Sequence, residues 1–347
     1  MMKCKGCGAL LQNEEPAKVG YVSKPGQEYC QRCFRLSHYG DISSLHTEAV
    51  NDEIVKEIYG KYDHPLFVLI VDVLDAIYLY EDDLLSIFKG RDVLLLINKI
   101  DLLPSNIKDD RFERLFAKIV SKCTSKGANI VDCLLTYKDD YTFNDFFLRT
   151  LDALGYQNIV FAGRANAGKS TLLNKLLGMN NLTTSIYPGT TISDNVFAYG
   201  KYQFIDTPGL SDGNSLLSYL PEDKIKPLMI DRTITPMVYQ FYEPQTYLLD
   251  GIFKIDVMPE KNASIIFYIN NSLKIHRTRT ANVKRYLDNN KDSFLLDLSP
   301  KKTFEDRITN RKMYYLKGLG LFKIAGRCKI RISYYAKLRL FTNEVLL

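Results

Sequence analysis

The chain has 347 residues, a length that suits two or three domains each able to bury its own core. Hydrophobic residues at 46% and charged residues at 25% exclude a disordered chain, and no apolar run approaches the ~18 residues that span a bilayer. The net charge of +6 is uneven: Glu260–Leu347 carries roughly 19 Lys/Arg against 7 Asp/Glu, an excess of about +12 that leaves the rest near −6. A basic final quarter suggests a polyanionic partner for that segment, with a merely solvated face as the alternative.

The start, Met1-Met2-Lys3-Cys4-Lys5-Gly6-Cys7, has neither an apolar h-region nor an Arg/Ser-rich stretch, so a cytoplasmic protein is expected. Seven cysteines in such a chain are expected to be reduced thiols or metal ligands. Residues 1–48 hold four of them as Cys4-x₂-Cys7 and Cys30-x₂-Cys33. Two such pairs suit tetrahedral Zn²⁺, and a segment this small needs a metal to fold; a redox pair or an iron–sulfur site competes with that reading. Cys123, Cys133 and Cys328 read as packing residues.

Residues 49–218 alternate short apolar runs with helix-period segments. The runs Leu66–Val71, Val93–Ile97, Ile130–Leu135, Ile159–Phe161 and Gln203–Ile205 predict buried parallel strands. The segments Glu81–Phe88, Arg111–Ser121, Phe143–Leu154 and Lys169–Leu177 predict helices, giving a doubly wound α/β sheet.

Within it, the strand Asn158–Phe161 runs into Gly163-Arg164-Ala165-Asn166-Ala167-Gly168-Lys169-Ser170-Thr171 and a helix. This G-x-x-x-x-G-K-S pattern predicts a P-loop: backbone N–H groups around phosphates, Lys169 on the β- and γ-phosphates, Ser170 on Mg²⁺. Asn98-Lys99-Ile100-Asp101 follows another strand, where a carboxylate can accept both N1–H and N2–H₂ of guanine. Asp206-Thr207-Pro208-Gly209 ends a third strand, as expected for an Mg²⁺-directed Asp and a glycine N–H that senses the γ-phosphate. Pro188-Gly189-Thr190-Thr191 lies between it and the P-loop, with Thr191 as the expected switch threonine on Mg²⁺. Together they predict GTP binding and hydrolysis. In an ordinary G domain N-K-x-D comes last; here it precedes the P-loop, so a circularly permuted G domain is expected. The place of the base-side loop reads Thr136-Tyr137-Lys138, a degenerate form. Asn166 could help hold K⁺ against the phosphates, or could simply be a turn residue tolerant of φ > 0.

Residues 219–347 read as a basic, mostly β domain, with Ile252–Met258, Ser264–Ile269 and Lys329–Tyr335 as antiparallel strands. Lys329 and Arg331 on one strand face, with Lys323 and Arg327 before them, are the expected phosphate contacts.

The whole resembles the YqeH family of circularly permuted GTPases. The resemblance rests on Cys30-Gln31-Arg32-Cys33-Phe34-Arg35-Leu36 with His38-Tyr39, on Asn98–Pro104, Pro188–Thr191 and Asp206–Gly209, and on Ile234-Thr235-Pro236, His276-Arg277-Thr278 and Gly318-Leu319-Gly320. It implies a cytoplasmic factor that binds rRNA and assists assembly of the small (30S) ribosomal subunit, with neither membrane nor DNA as partner. It also implies a hydrophobic residue where many GTPases orient water with Gln, and Leu210 fits. A GTPase acting in another RNA process, such as tRNA modification, is the alternative.

Overall fold

The computed structural model describes residues 2, 10–14, 21–24, 26–28, 30, 55–104, 109–164, 166–178, 195–207, 209–210, 215–219, 225, 227–290 and 301–343. It divides into two compact units, one within Met1–Asp101 and Phe112–Gly213, the other within Leu102–Arg111 and Asn214–Leu347.

The first unit is built on six strands: β1 (Leu66–Asp72), β2 (Asp92–Asn98), β3 (Asn129–Leu135), β4 (Asn158–Gly163), β5 (Asn195–Tyr199) and β6 (Tyr202–Asp206). They lie in the order β3-β2-β1-β4-β6-β5, parallel except for the hairpin that sets β5 against β6. Near-continuous burial along β1, β2 and β4 explains their unbroken apolar sequences, since a parallel sheet is covered on both faces.

Helices α1 (55–61), α2 (Val73–Ala76), α3 (Asp109–Ser125), α4 (Phe143–Leu154) and α5 (Lys169–Leu177) accompany the sheet. α4 ends at Gly155 with φ +80°, a left-handed C-cap whose N–H bonds back to Leu151 O. Its buried Phe143, Phe147 and Leu151 follow the helical period and pack with Phe161 and Phe204 in one core. The segment expected as one helix over Glu81–Phe88 instead forms two 3₁₀ turns, Leu79–Glu81 and Asp83–Phe88. Asp82 breaks it: its carboxylate caps the Leu84 N–H at 3.0 Å while its own backbone is extended.

The second unit contains β7 (Met237–Phe241), β8 (Gln245–Leu249), β9 (Phe253–Pro259), β10 (Ala263–Ile269), β11 (Ile275–Arg279), β12 (Lys301–Ile308), β13 (Arg311–Leu316), β14 (Gly320–Ala325), β15 (Cys328–Tyr335) and β16 (Leu340–Asn343), with helix α6 (Val283–Asn290) after β11. They form two antiparallel sheets, β16-β13-β14-β10-β7 and β11-β8-β9-β15-β12. Aromatic rings fill the space between them: Phe253 meets Phe322 at 5.1 Å, and Tyr247 meets Phe267 at 5.9 Å. The alternation read from Lys329–Tyr335 holds through Ile332, but Ser333 is buried rather than solvated. Burial pushes the thiols of Cys123 and Cys133 up to about 12 and that of Cys328 to about 11, as inert packing thiols require.

Among the described residues, no helix is long and apolar enough to cross a membrane.

Phe204 is fully buried, with Phe161, Tyr199 and Tyr202 rings within 6 Å of its own. Phe204→Ala should therefore cost about 3–5 kcal/mol, read as a drop in the denaturant midpoint of the first unit.

Candidate functional site

Three turns at the carboxyl edge of the sheet come together. β1 and β4 approach so closely that a Cβ on Gly163 would stand 2.7 Å from Ile70 O, which leaves glycine as the residue that fits where the strand gives way to the loop. The loop then coils through Asn166 at φ +66° and Gly168 at φ +95° before α5 begins at Lys169. Such a turn aims successive N–H groups into one concavity, and the start of the helix adds its dipole. Ser170 and Thr171 lie in the first turn of α5, and Ala167 is buried.

The second turn follows β2. The buried side chain of Asn98 donates from Nδ2 to Ala167 O at 2.8 Å, while its Oδ1 accepts the Lys99 N–H at 2.8 Å. A Cβ on residue 168 would lie 2.2 Å from that same Nδ2, so the second glycine of the loop is required by Asn98 as much as by its own φ. Lys99 is left-handed at φ +62°, and its Nζ pairs with Asp72 Oδ2 at 2.8 Å. Asp72, at the end of β1, also caps the Leu74 N–H at 2.9 Å. Asp101 sits exposed in the 3₁₀ turn Ile100–Leu102. Beside it, Thr136 N–H donates to Ile97 O at 2.9 Å and Thr136 O accepts from Ile100 N–H. The Thr136 hydroxyl is fully buried and has no hydrogen-bond partner among the described residues. Tyr137 and Lys138 are exposed.

The third turn follows β6, which pairs with β4 so that Asp206 stands beside Phe161. Asp206 forms an ion pair with Lys169, and both side chains are more than nine-tenths buried. Burial pushes the Asp206 carboxyl up, with the Lys169 charge pulling it back down. Thr207 Oγ donates to Phe161 O at 2.9 Å. Gly209 is half-buried, and the Leu210 N–H donates to Gly163 O at 2.9 Å while its side chain is buried.

Two positions at this edge escaped the sequence reading. Asp72 fixes Lys99. Arg164, inside the loop, makes a two-pronged pair with Asp82, Nη1 to Oδ2 at 2.6 Å and Nη2 to Oδ1 at 2.7 Å. Both side chains are largely buried, at 13% and 9% exposure, so this arginine braces the loop. Partners 27 and 82 residues apart leave no local pattern to find.

Thr191, with Pro188–Thr190, lies outside the described residues, as do Cys4, Cys7 and Cys33. Cys30 is described and buried, and among the described residues no group of His, Cys, Asp and Glu is placed to hold a metal.

The donor set suits a nucleoside triphosphate with Mg²⁺: a glycine cradle that no Cβ could enter, a buried cation and a buried carboxylate side by side, and an orphaned hydroxyl beside the N-K-x-D turn. Residues 158–243 match the family described as "50S ribosome-binding GTPase". The chain is 28% identical over 294 residues to the Bacillus subtilis protein YqeH, covering 80% of this chain and 78% of that one. It is 24% identical over 250 residues to nitric oxide-associated protein 1 of Mus musculus, 55% of this chain and 36% of that one. It is 35% identical over 130 residues to the GTPase Der of Clostridium botulinum, 35% of this chain and 28% of that one. Thus the chain spans most of YqeH but only about a third of the other two.

The fold, the three turns and these matches define a P-loop GTPase, an enzyme that converts GTP to GDP and phosphate with Mg²⁺ as cofactor. Within that class, the chain is similar to YqeH over most of both proteins.

Replacing Arg164 with Ala strands the Asp82 carboxylate in a mostly buried place. The variant should lose about 3 kcal/mol of stability. The double variant Arg164→Ala/Asp82→Ala, which leaves no buried charge unmatched, should recover part of it in the same denaturation measurement.

Proposed function

We propose that the three turns form one guanine-nucleotide switch that times the binding of this protein to the small ribosomal subunit. The observation that carries the site is the Asn98–Ala167 hydrogen bond, because it joins the N-K-x-D turn to the phosphate loop in a single pocket. In this reading Asp101 accepts from guanine, with Asn98 and Lys99 holding its turn in place. Gly163, Asn166, Ala167, Gly168, Lys169, Ser170 and Thr171 surround the phosphates. Ser170 and Thr191 would ligate Mg²⁺ and Asp206 would face it; the bound ion supplies positive charge against the β- and γ-phosphates. Gly209 offers its N–H to the γ-phosphate.

Hydrolysis would be slow on its own. Leu210 has no group to orient water and is buried, and Arg164 is held by Asp82. Unassisted turnover near 10⁻⁴–10⁻² s⁻¹ is expected, on the order seen without an arginine finger. K⁺ held with the help of Asn166 is the proposed substitute for the finger, with the ribosomal partner as a second accelerator.

The N-K-x-D turn precedes the P-loop in the chain while lying beside it in the sheet, which supports a circularly permuted G domain. We read 49–218 as this switch, 1–48 as a module held by one Zn²⁺ on Cys4, Cys7, Cys30 and Cys33, and 219–347 as the RNA-binding part. The matched family's description names the 50S subunit, whereas the YqeH resemblance favours the 30S. Co-sedimentation of the GTP-locked protein with separated subunits decides between them: pelleting with 30S alone supports the proposal, and pelleting with 50S alone refutes it.

Asp101→Asn exchanges an acceptor for a donor opposite the guanine amine. GTP affinity should fall by about 10–100-fold while xanthosine triphosphate binding rises, measured with fluorescent analogues.

At matched ionic strength, turnover should be faster in K⁺ than in Na⁺. Asn166→Gly keeps the left-handed backbone and removes the amide, so it should abolish that difference; equal rates in both salts for the unaltered protein would end the cation reading.

A further inference from the structure

The sequence places the phosphate contacts of the second unit on β15, where carboxylates stand beside several of the basic groups. Arg331 is bonded to Glu305 at 2.7 Å, Arg307 to Glu260 at 2.8 Å, and Lys254 to Asp256 at 2.7 Å. The carboxylates on β9 and β12 and at their ends thus answer much of the positive charge there.

At the opposite edge of the same sheet a carboxylate, Glu243, also meets an arginine, but the stretch around β11 is richer in basic residues. From Lys261 to Leu287 the chain has six Lys/Arg and no Asp or Glu. β11 is the edge strand, hydrogen-bonded to β8 alone in its sheet. Period-2 geometry puts Arg277 and Arg279 on one face, and both are exposed. Neither is loose. Arg277 donates from Nη2 to Gln240 O at 2.8 Å and from Nε to Gln245 Oε1 at 3.2 Å, and Arg279 Nε pairs with Glu243 at 3.0 Å. Five N–H groups on each guanidinium leave donors over after these contacts.

Both arginines therefore reach the β7–β8 turn, whose Tyr242 is 64% exposed. Its hydroxyl donates to Gln240 Oε1 at 2.9 Å, so Tyr242 and Arg277 are anchored on the same residue. On the other face of β11, His276 stacks on Tyr286 of α6 with ring centres 3.5 Å apart and planes 7° apart. That stack ties α6, with exposed Lys284 and Arg285, to the strand.

We propose that the β11 edge with the β7–β8 turn is the RNA site of the second unit, and that it takes single-stranded RNA. Arg277 and Arg279 hold successive phosphates, Lys284 and Arg285 extend the positive track, and a base stacks on Tyr242. An exposed ring can be reached only by an unstacked base, so a single strand fits and a duplex does not. This rests on the RNA-binding reading above and names the surface that carries it.

The test uses the full chain and a fluorescently labelled 12-nucleotide RNA, single-stranded or annealed, read by anisotropy across a salt series. The single strand should bind more tightly than the duplex. Arg277→Ala/Arg279→Ala should weaken it more than tenfold and reduce the log–log salt slope by about 1.4. Tyr242→Ala should weaken it at least fivefold with an unchanged slope, and Tyr242→Phe should restore it. Lys329→Ala/Arg331→Ala should bind within twofold of the unaltered chain. Thermal melts matched to the parent exclude unfolding as the cause. If the parent binds RNA and the Arg277/Arg279 and Tyr242 variants bind equally well, this surface is wrong while the RNA reading stands. If the parent binds the duplex as tightly as the single strand, the stacking role of Tyr242 is refuted. If the parent binds neither, both the surface and the underlying reading fall.

Discussion

The nucleotide site depends on one buried amide. Asn98 reaches across 69 residues of sequence to the carbonyl of Ala167, and its side chain is buried. A buried polar group left unmatched costs about 1–3 kcal/mol, so the two turns hold each other in register. The neighbouring residues follow from it. Gly168 has no side chain because Asn98 occupies the space a Cβ would need. Lys99 takes a left-handed backbone beside the Asn98 side chain, and Asp72 at the end of β1 fixes its ammonium. The sheet order makes this possible, since β1 lies between β2 and β4 and aligns the ends of all three.

The Lys169–Asp206 pair sits at the same edge under a different constraint. Two opposite charges withdrawn from water must be answered by partners of equal quality. In the structure they answer each other. The residues after Asp206 lie within reach of the phosphate loop through the Leu210–Gly163 hydrogen bond. A change at the phosphates thereby has a direct route into the segment that follows β6.

Much of the first unit was legible because its signals are local. Apolar runs mark strands buried on both faces, and the glycines of the loop are dictated by backbone angles and close approach. β5, an edge strand, does carry a short apolar run, Val196-Phe197-Ala198-Tyr199, but none of its residues is buried, so it lacks the fully covered character that marks the central strands. Glu81–Phe88 has helical periodicity, yet Asp82 spends its carboxylate on a cap and on Arg164, which splits the segment. Neither the Arg164–Asp82 brace nor the Asp72–Lys99 pair leaves a trace in spacing, because each joins distant turns. In the second unit, the short strands β7 and β8 mix apolar with neutral polar residues, and β11 adds two arginines. The basic character of the unit was visible in composition, but which charges are cancelled by acidic neighbours is a property of strand register alone.

Competition for a fluorescent guanosine diphosphate analogue tests the central claim most directly. On the proposed reading, GTP and GDP should displace it at concentrations at least 100-fold below those at which ATP does, because Asp101 would accept from the guanine N1–H and N2–H₂, donors that adenine lacks on that edge. Equal displacement by ATP and GTP would mean that Asp101 does not read the base, and that the two turns do not form one guanine-nucleotide site.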